Sequence, residues 1–166
     1  GSSSAWACSS ATPSTPVTSP PAGHPDHLRA ARAAARESLV LLQNNPHDHA
    51  PVLPLDLHRV RRVAVIGPMA DTPKEQLGTW IFDGDPSLSV APLPALREAL
   101  DGRATIEHVK ALASSRDRSH GRFGAAREAA ARADVALLFV GEDAILSGEA
   151  HCRADIGLPG AQEALI

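Results

Sequence analysis

Two short apolar runs constrain this chain more than any other feature: Val63-Ala64-Val65-Ile66-Gly67 and Val135-Ala136-Leu137-Leu138-Phe139-Val140-Gly141. Neither alternates with polar residues, and both are shorter than an ordinary buried helix. Such runs suit strands covered on both faces, as a parallel sheet requires. Residues 105–109 make a weaker third strand. Between the strands lie helical patterns. Residues 93–100 place Leu93, Leu96, Ala99 and Leu100 on one face, and Asp101-Gly102 ends them. Residues 123–133 are Ala-rich with good helix propensity. Pro159 at a first turn opens a last helix over 160–166. Strand and helix in alternation predict an α/β fold with a mostly parallel sheet flanked by helices. Ligands of such sheets bind at the carboxyl ends of strands. That singles out the loops after Gly67 and after Gly141.

The first of these loops, residues 71–87, reads as irregular chain with a short helical turn. The second runs from Glu142 to about Leu158. Upstream, residues 1–26 are rich in Ser, Thr, Pro, Ala and Gly without periodicity, and read as a disordered linker or non-native tail. Trp6 is their one large apolar residue. Residues 27–166 form the folded part. Asp26 is placed to cap a helix over 27–43 whose apolar face is Leu28, Ala31, Ala35, Leu39 and Leu42. Val52-Leu53-Pro54-Leu55 follows as a short apolar segment.

Composition excludes several functions. Lys plus Arg is 16 and Asp plus Glu 19 in 166 residues, a formal charge of −3, which does not suit a nucleic-acid binder. Aromatics are 3%, too few for a platform stacking single strands. No apolar run approaches the roughly 20 residues of a membrane helix. Neither nucleic acid nor membrane is expected as a partner. Cys8 and Cys152 make no disulfide framework and no zinc quartet, and His47-Asp48-His49 reads as a polar turn rather than a metal site. No metal and no cofactor is expected. The only methionine is Met69, so Gly1 reads as a processed end or a point inside a longer chain.

Chemistry concentrates in the second loop, where Glu142, Asp143, Glu149 and Asp155 lie close to His151 and Arg153. Crowded carboxylates push one another's proton affinity up, the usual route to a general acid near neutral pH. A solvated acidic loop neutralised by Arg153 is the plainer alternative. Cys152 beside His151 reads as a passive thiol, since no third group orients the pair. In the first loop, Trp80 suits either a sugar-stacking wall or a cover for the core edge. Asp83 and Asp85 suit either hydroxyl binding or turn capping. Gly67-Pro68-Met69-Ala70-Asp71 is no dinucleotide fingerprint, and a P-loop is absent. A nucleotide-binding α/β module stays open on topology alone.

An ordered set of motifs carries a resemblance. Arg36-Glu37-Ser38-Leu39-Val40-Leu41-Leu42-Gln43-Asn44, Leu53-Pro54-Leu55 and Arg62-Val63-Ala64-Val65-Ile66-Gly67-Pro68 come first. Leu77-Gly78-Thr79-Trp80, Ala133-Asp134-Val135-Ala136-Leu137, Ser147-Gly148-Glu149-Ala150, Arg153 and Leu158-Pro159-Gly160-x-Gln162 follow. Residues 27–166 thereby resemble the first part of the C-terminal α/β sandwich domain of glycoside hydrolase family 3, with a likeness to bacterial periplasmic-type β-glucosidases. Gln43 departs from the pattern, which usually has Lys there.

The resemblance implies a retaining β-glycosidase with its site shared between this domain and an N-terminal β/α barrel that holds an Asp nucleophile. It implies a β-linked glucoside or oligosaccharide substrate and a periplasmic or secreted setting. Glu149 is its first choice for the acid/base and Glu142 its second. Trp80, Asp83, Asp85 and Arg153 are its candidate substrate contacts. The nucleophile would stand about 5–5.5 Å from the acid/base. The domain would continue beyond Ile166, and the chain alone would be inactive. A non-catalytic carbohydrate-binding or interaction domain is the alternative.

Overall fold

The computed structural model describes residues 23–46 and 50–166. Trp6, Cys8 and the His47-Asp48-His49 run lie outside the described residues. The chain divides into two units, 1–51 and 52–166. The first contains α1, Pro25–Glu37, which starts one turn's fraction earlier than the sequence predicts and ends six residues sooner. His24 caps it, its ring nitrogen accepting from the Asp26 amide. Ser38 closes it, the hydroxyl donating to the Ala35 carbonyl. The expected extension to Gln43 fails for a physical reason. Leu39, Val40, Leu41 and Leu42 are all exposed, so no packed face supports continuing the helix beyond Glu37.

The second unit is the predicted α/β layer. Its strands are β1 (Arg62–Ile66), β2 (Thr105–Val109) and β3 (Val135–Leu138). All pair in parallel in the order β2-β1-β3, with Val63 opposite Ile106 on one side and Val135 on the other. The helices are α2 (Pro92–Ala99), α3 (Phe123–Arg132) and α4 (Gln162–Leu165). The last begins two residues later than predicted, because Gly160 has φ of +68°, a left-handed conformation that no helix contains.

The period of the strand sorts the core into two layers. Val63 and Val65 point to one face and pack with Val60, Ala70, Leu93 and Leu100, so α2 covers that side. Ala64 and Ile66 point to the other and pack with Val109, Ala126 and Ala129, which brings in α3. Burying each such aliphatic side chain contributes about 1.5–3 kcal/mol. Ala99, expected on the buried face of α2, is exposed.

The third strand departs from expectation. It reads as fully buried, yet Ala136 and Leu138 are exposed. The reason is position: β3 lies at the sheet edge, while α3 packs against β1 and β2. Val135 and Leu137 still pack on the α2 side. On the other face Leu138 lines an open cleft of about 630 Å³ with Ile66, Phe123 and Leu165. No helix among the described residues is long and apolar enough to cross a membrane.

Candidate functional site

The strand order sets where the site must be. The connection from β1 crosses to β2 on one side, and β3 then returns to the other side of β1. The loops leaving β1 and β3 therefore diverge at a switch point, the place where open α/β sheets form a crevice at their carboxyl ends. These are the two loops singled out from sequence.

Gly67 makes the first exit from the sheet possible. Its φ is +115°, and a Cβ there would lie 2.2 Å from the Phe139 carbonyl oxygen. Only glycine lets the backbone turn so close to the end of β3. The Met69 amide donates to that same carbonyl at 3.2 Å. Beyond it, the 3-10 turn Pro73–Leu77 presents Glu75, whose carboxylate accepts from the Ala144 amide at 2.5 Å. The Thr79 hydroxyl donates to the Ser147 carbonyl at 2.7 Å. Two hydrogen bonds thus join the loops, around a cleft of about 300 Å³ lined by Lys74, Glu75, Thr79, Arg116, Asp143 and Ile145.

The carboxylates of the second loop have separate fates. Asp143 pairs with the Arg116 guanidinium at 3.5 Å. Glu142 forms an ion pair with Arg153, which also donates to the Gly157 carbonyl at 2.7 Å. Asp155 accepts from the Gly157 amide at 2.9 Å. Glu149 is exposed and, among the described residues, has no hydrogen bond or ion pair. Its neighbour Ala150 has φ of +62°, a left-handed conformation costly for a residue with a Cβ. His151 contacts the Ser147 carbonyl through Nδ1 at 3.3 Å, and Cys152 is an exposed free thiol.

In the first loop Trp80 is 62% exposed, so its ring faces outward rather than sealing the core. Asp83 is exposed as well. Asp85 caps the 3-10 turn Pro86–Leu88, accepting from the Ser87 amide at 2.8 Å. The Ser87 hydroxyl and amide hold its carboxyl below the ordinary carboxylate value.

Sequence reasoning assigned no role to Ser115 or to the motif residue Gln162, which among the described residues are polar side chains with no solvent exposure. Gln162 Oε1 accepts from the Gly141 amide at 2.8 Å. Its Nε2 faces the carbonyls of Ser115, Gly141 and Pro159 at 2.9, 2.8 and 3.0 Å. Ser115 Oγ accepts from the Asp143 amide at 3.3 Å. One signal was available: Gln162 stands in the Leu158-Pro159-Gly160-x-Gln162 motif, two residues after a glycine and at the start of a short helix.

A three-stranded parallel sheet with helices on both faces, and an acidic loop at its switch point, define an α/β domain built to present side chains to a crevice. The chain belongs to glycoside hydrolase family 3: residues 39–166 match the model of the glycosyl hydrolase family 3 C-terminal domain. It is 30% identical to the periplasmic beta-glucosidase of Salmonella typhimurium over 84% of this chain and 20% of that protein. It is 33% identical to beta-D-xylosidase 3 of Arabidopsis thaliana over 85% of this chain and 17% of that one. The beta-glucosidase of Listeria innocua, solved with glucose, superposes with a TM-score of 0.69 and 30% identity, covering 85% of this chain and 18% of that one. The chain spans no more than a fifth of the length of these relatives.

Proposed function

We propose that this chain closes one side of the sugar site of a retaining β-glycosidase and supplies Glu149 as its general acid/base. The observation that carries the reading is the contrast within one loop. Both carboxylates are exposed, but Glu142 is held by Arg153, whereas Glu149 is without a partner among the described residues. A proton donor must reach a leaving oxygen, so the unpartnered carboxyl is the better placed of the two.

In the first step Glu149 protonates the glycosidic oxygen as a carboxylate nucleophile attacks the anomeric carbon. In the second it takes a proton from the water that releases the sugar. The nucleophile belongs to a β/α barrel domain, absent from the α/β fold described above. The substrate is a β-linked glucoside or oligosaccharide, in keeping with the names of the relatives. Trp80 offers a ring for a sugar face, and Asp83 offers hydroxyl contacts beside it. Asp85 and Arg153 act through the shape of their loops, since both already hold partners. The name of the Salmonella relative supports a periplasmic or secreted setting.

The test is complementation with a separately produced barrel domain from a relative, assayed on an aryl β-glucoside. This chain alone gives no turnover, and the mixture does. Glu149→Gln lowers kcat of the mixture by roughly 10²- to 10⁴-fold, and Glu142→Gln by much less. The reverse ranking would move the acid/base to Glu142. Sugar binding with no turnover in any mixture would make this a non-catalytic carbohydrate-binding domain.

A further inference from the structure

We infer that Gln162 is a positioning residue for the loop that carries Glu149, a reading that rests on the proposal above. Its side chain has no solvent exposure and touches three separate stretches of backbone. One is Gly141, where the loop leaves β3; one is Ser115, in the loop leaving β2; one is Pro159, in its own turn. A carboxamide has one acceptor oxygen and two N–H donors. Here the oxygen serves the Gly141 amide, and the two donors serve three carbonyls. No other uncharged side chain of this length offers both kinds of group at once.

The turn around it is shaped to bring it there. Gly160 has φ of +68°, and a Cβ on it would lie 2.6 Å from the carbonyl oxygens of Ser115 and Asp117. The Ala161 amide then donates to the Asp117 carbonyl at 2.9 Å. So Gly160 permits the approach and Gln162 fastens it. Ser115 extends the tie, its hydroxyl taking the Asp143 amide. On the far side, Arg153 closes the loop back onto Glu142. Glu149 sits in the span between these two anchors. Gln162 does not touch substrate; it fixes where the loop begins.

Amide hydrogen exchange on the 166-residue chain tests this without any substrate. Gln162→Met keeps the length and removes every hydrogen bond. Protection at Gly141 and Asp143 then falls by roughly tenfold or more, while Val65 and Ile66 in β1 keep theirs. Gln162→Glu separates positioning from mere packing. Its carboxylate still accepts from Gly141 but donates to no carbonyl, and protonation restores one donor. Protection in that variant therefore recovers relative to Gln162→Met as pH is lowered. Unchanged protection at Gly141 and Asp143, or an equal fall in β1, overturns the inference. If Gln162→Met does not fold, Ser115→Ala decides. A loss confined to Asp143 and its neighbours supports the tie, and a uniform loss or none overturns it. In the barrel-complemented enzyme Gln162→Met lowers kcat by roughly 10- to 100-fold with KM little changed; a folded variant with unchanged kcat overturns the inference. An inactive wild-type mixture would sink the glycosidase reading and leave the exchange results to stand by themselves.

Discussion

β1 and β3 are nearly interchangeable as sequences, since each is a short aliphatic run ending in glycine. In the fold they live differently. Val63, Ala64, Val65 and Ile66 are all buried, whereas exposure alternates along β3. The register makes the contrast sharp: Ile66 is 3% exposed and its ladder partner Leu138 is 36% exposed. Composition therefore reports the capacity of a run to be buried. Whether burial happens depends on what lies beyond the strand, and α3 reaches β1 and β2 but leaves Leu138 facing a cleft.

The greatest effect is expected where the two strands meet most closely. Gly67→Ala would drive a Cβ into the Phe139 carbonyl and hold alanine at a φ of +115°. The backbone strain and the overlap together cost roughly 3–5 kcal/mol. Urea unfolding of the variant shows a collapsed midpoint. A loss below 1 kcal/mol would mean that the end of β3 can move aside, and that the strands are less tightly coupled than their geometry indicates.

A paired truncation measures the asymmetry itself. Ile66→Ala removes an almost fully buried side chain from the layer packed beneath α3, at the floor of the cleft, and costs about 2–4 kcal/mol. Leu138→Ala, on the same rung, removes a side chain already half in solvent and costs about 1 kcal/mol or less. Equal costs in urea unfolding would show that the cleft beside Leu138 is filled in solution.

This asymmetry marks how far the sequence could be read. All three strands, the α2 and α3 helices and the two strand-end loops follow from periodicity, because burial patterns and glycine positions are local signals. The edge position of β3 is not local. It comes from the order of pairing, which no single run encodes. The end of α1 was misread because Leu39 and Leu42 fit a helical spacing, yet both are exposed and no packed face holds the helix there. In the site, Glu142 and Glu149 were both visible as carboxylates. Their separation into a paired and an unpaired group depends on where Arg153 folds back. Gln162 stayed hidden among motif residues because its partners are backbone groups, and backbone groups have no signature in sequence.

The pH dependence of stability distinguishes the two sides of β1. On the β3 side, the Asp134 carboxylate accepts from the Arg61 and Arg62 amides, each at 2.8 Å. These two amides, aided by the charges of Arg62 and Arg61, hold its carboxyl below the ordinary value. A lowered carboxylate pKa means the unfolded chain takes up the proton first on acidification. The contribution is fully present above about pH 4 and is lost as pH falls through the lower folded value. On the β2 side, His108 has its Nε2 buried without a partner. Burial lowers its pKa most; Asp71 opposes this, while Arg97, Lys110 and Arg122 reinforce it. Here the unfolded chain again binds the proton first, but higher on the scale. Stability begins to fall as pH drops below about 6.5 and levels off below the folded value. Thermal unfolding against pH should therefore show two separate declines. Asp134→Asn reduces the lower one, to which Asp85 and Asp117 also contribute, and leaves the upper, whereas His108→Gln removes the upper and leaves the lower. A single decline removed by either substitution would mean that the pairings on the two sides of β1 do not titrate independently.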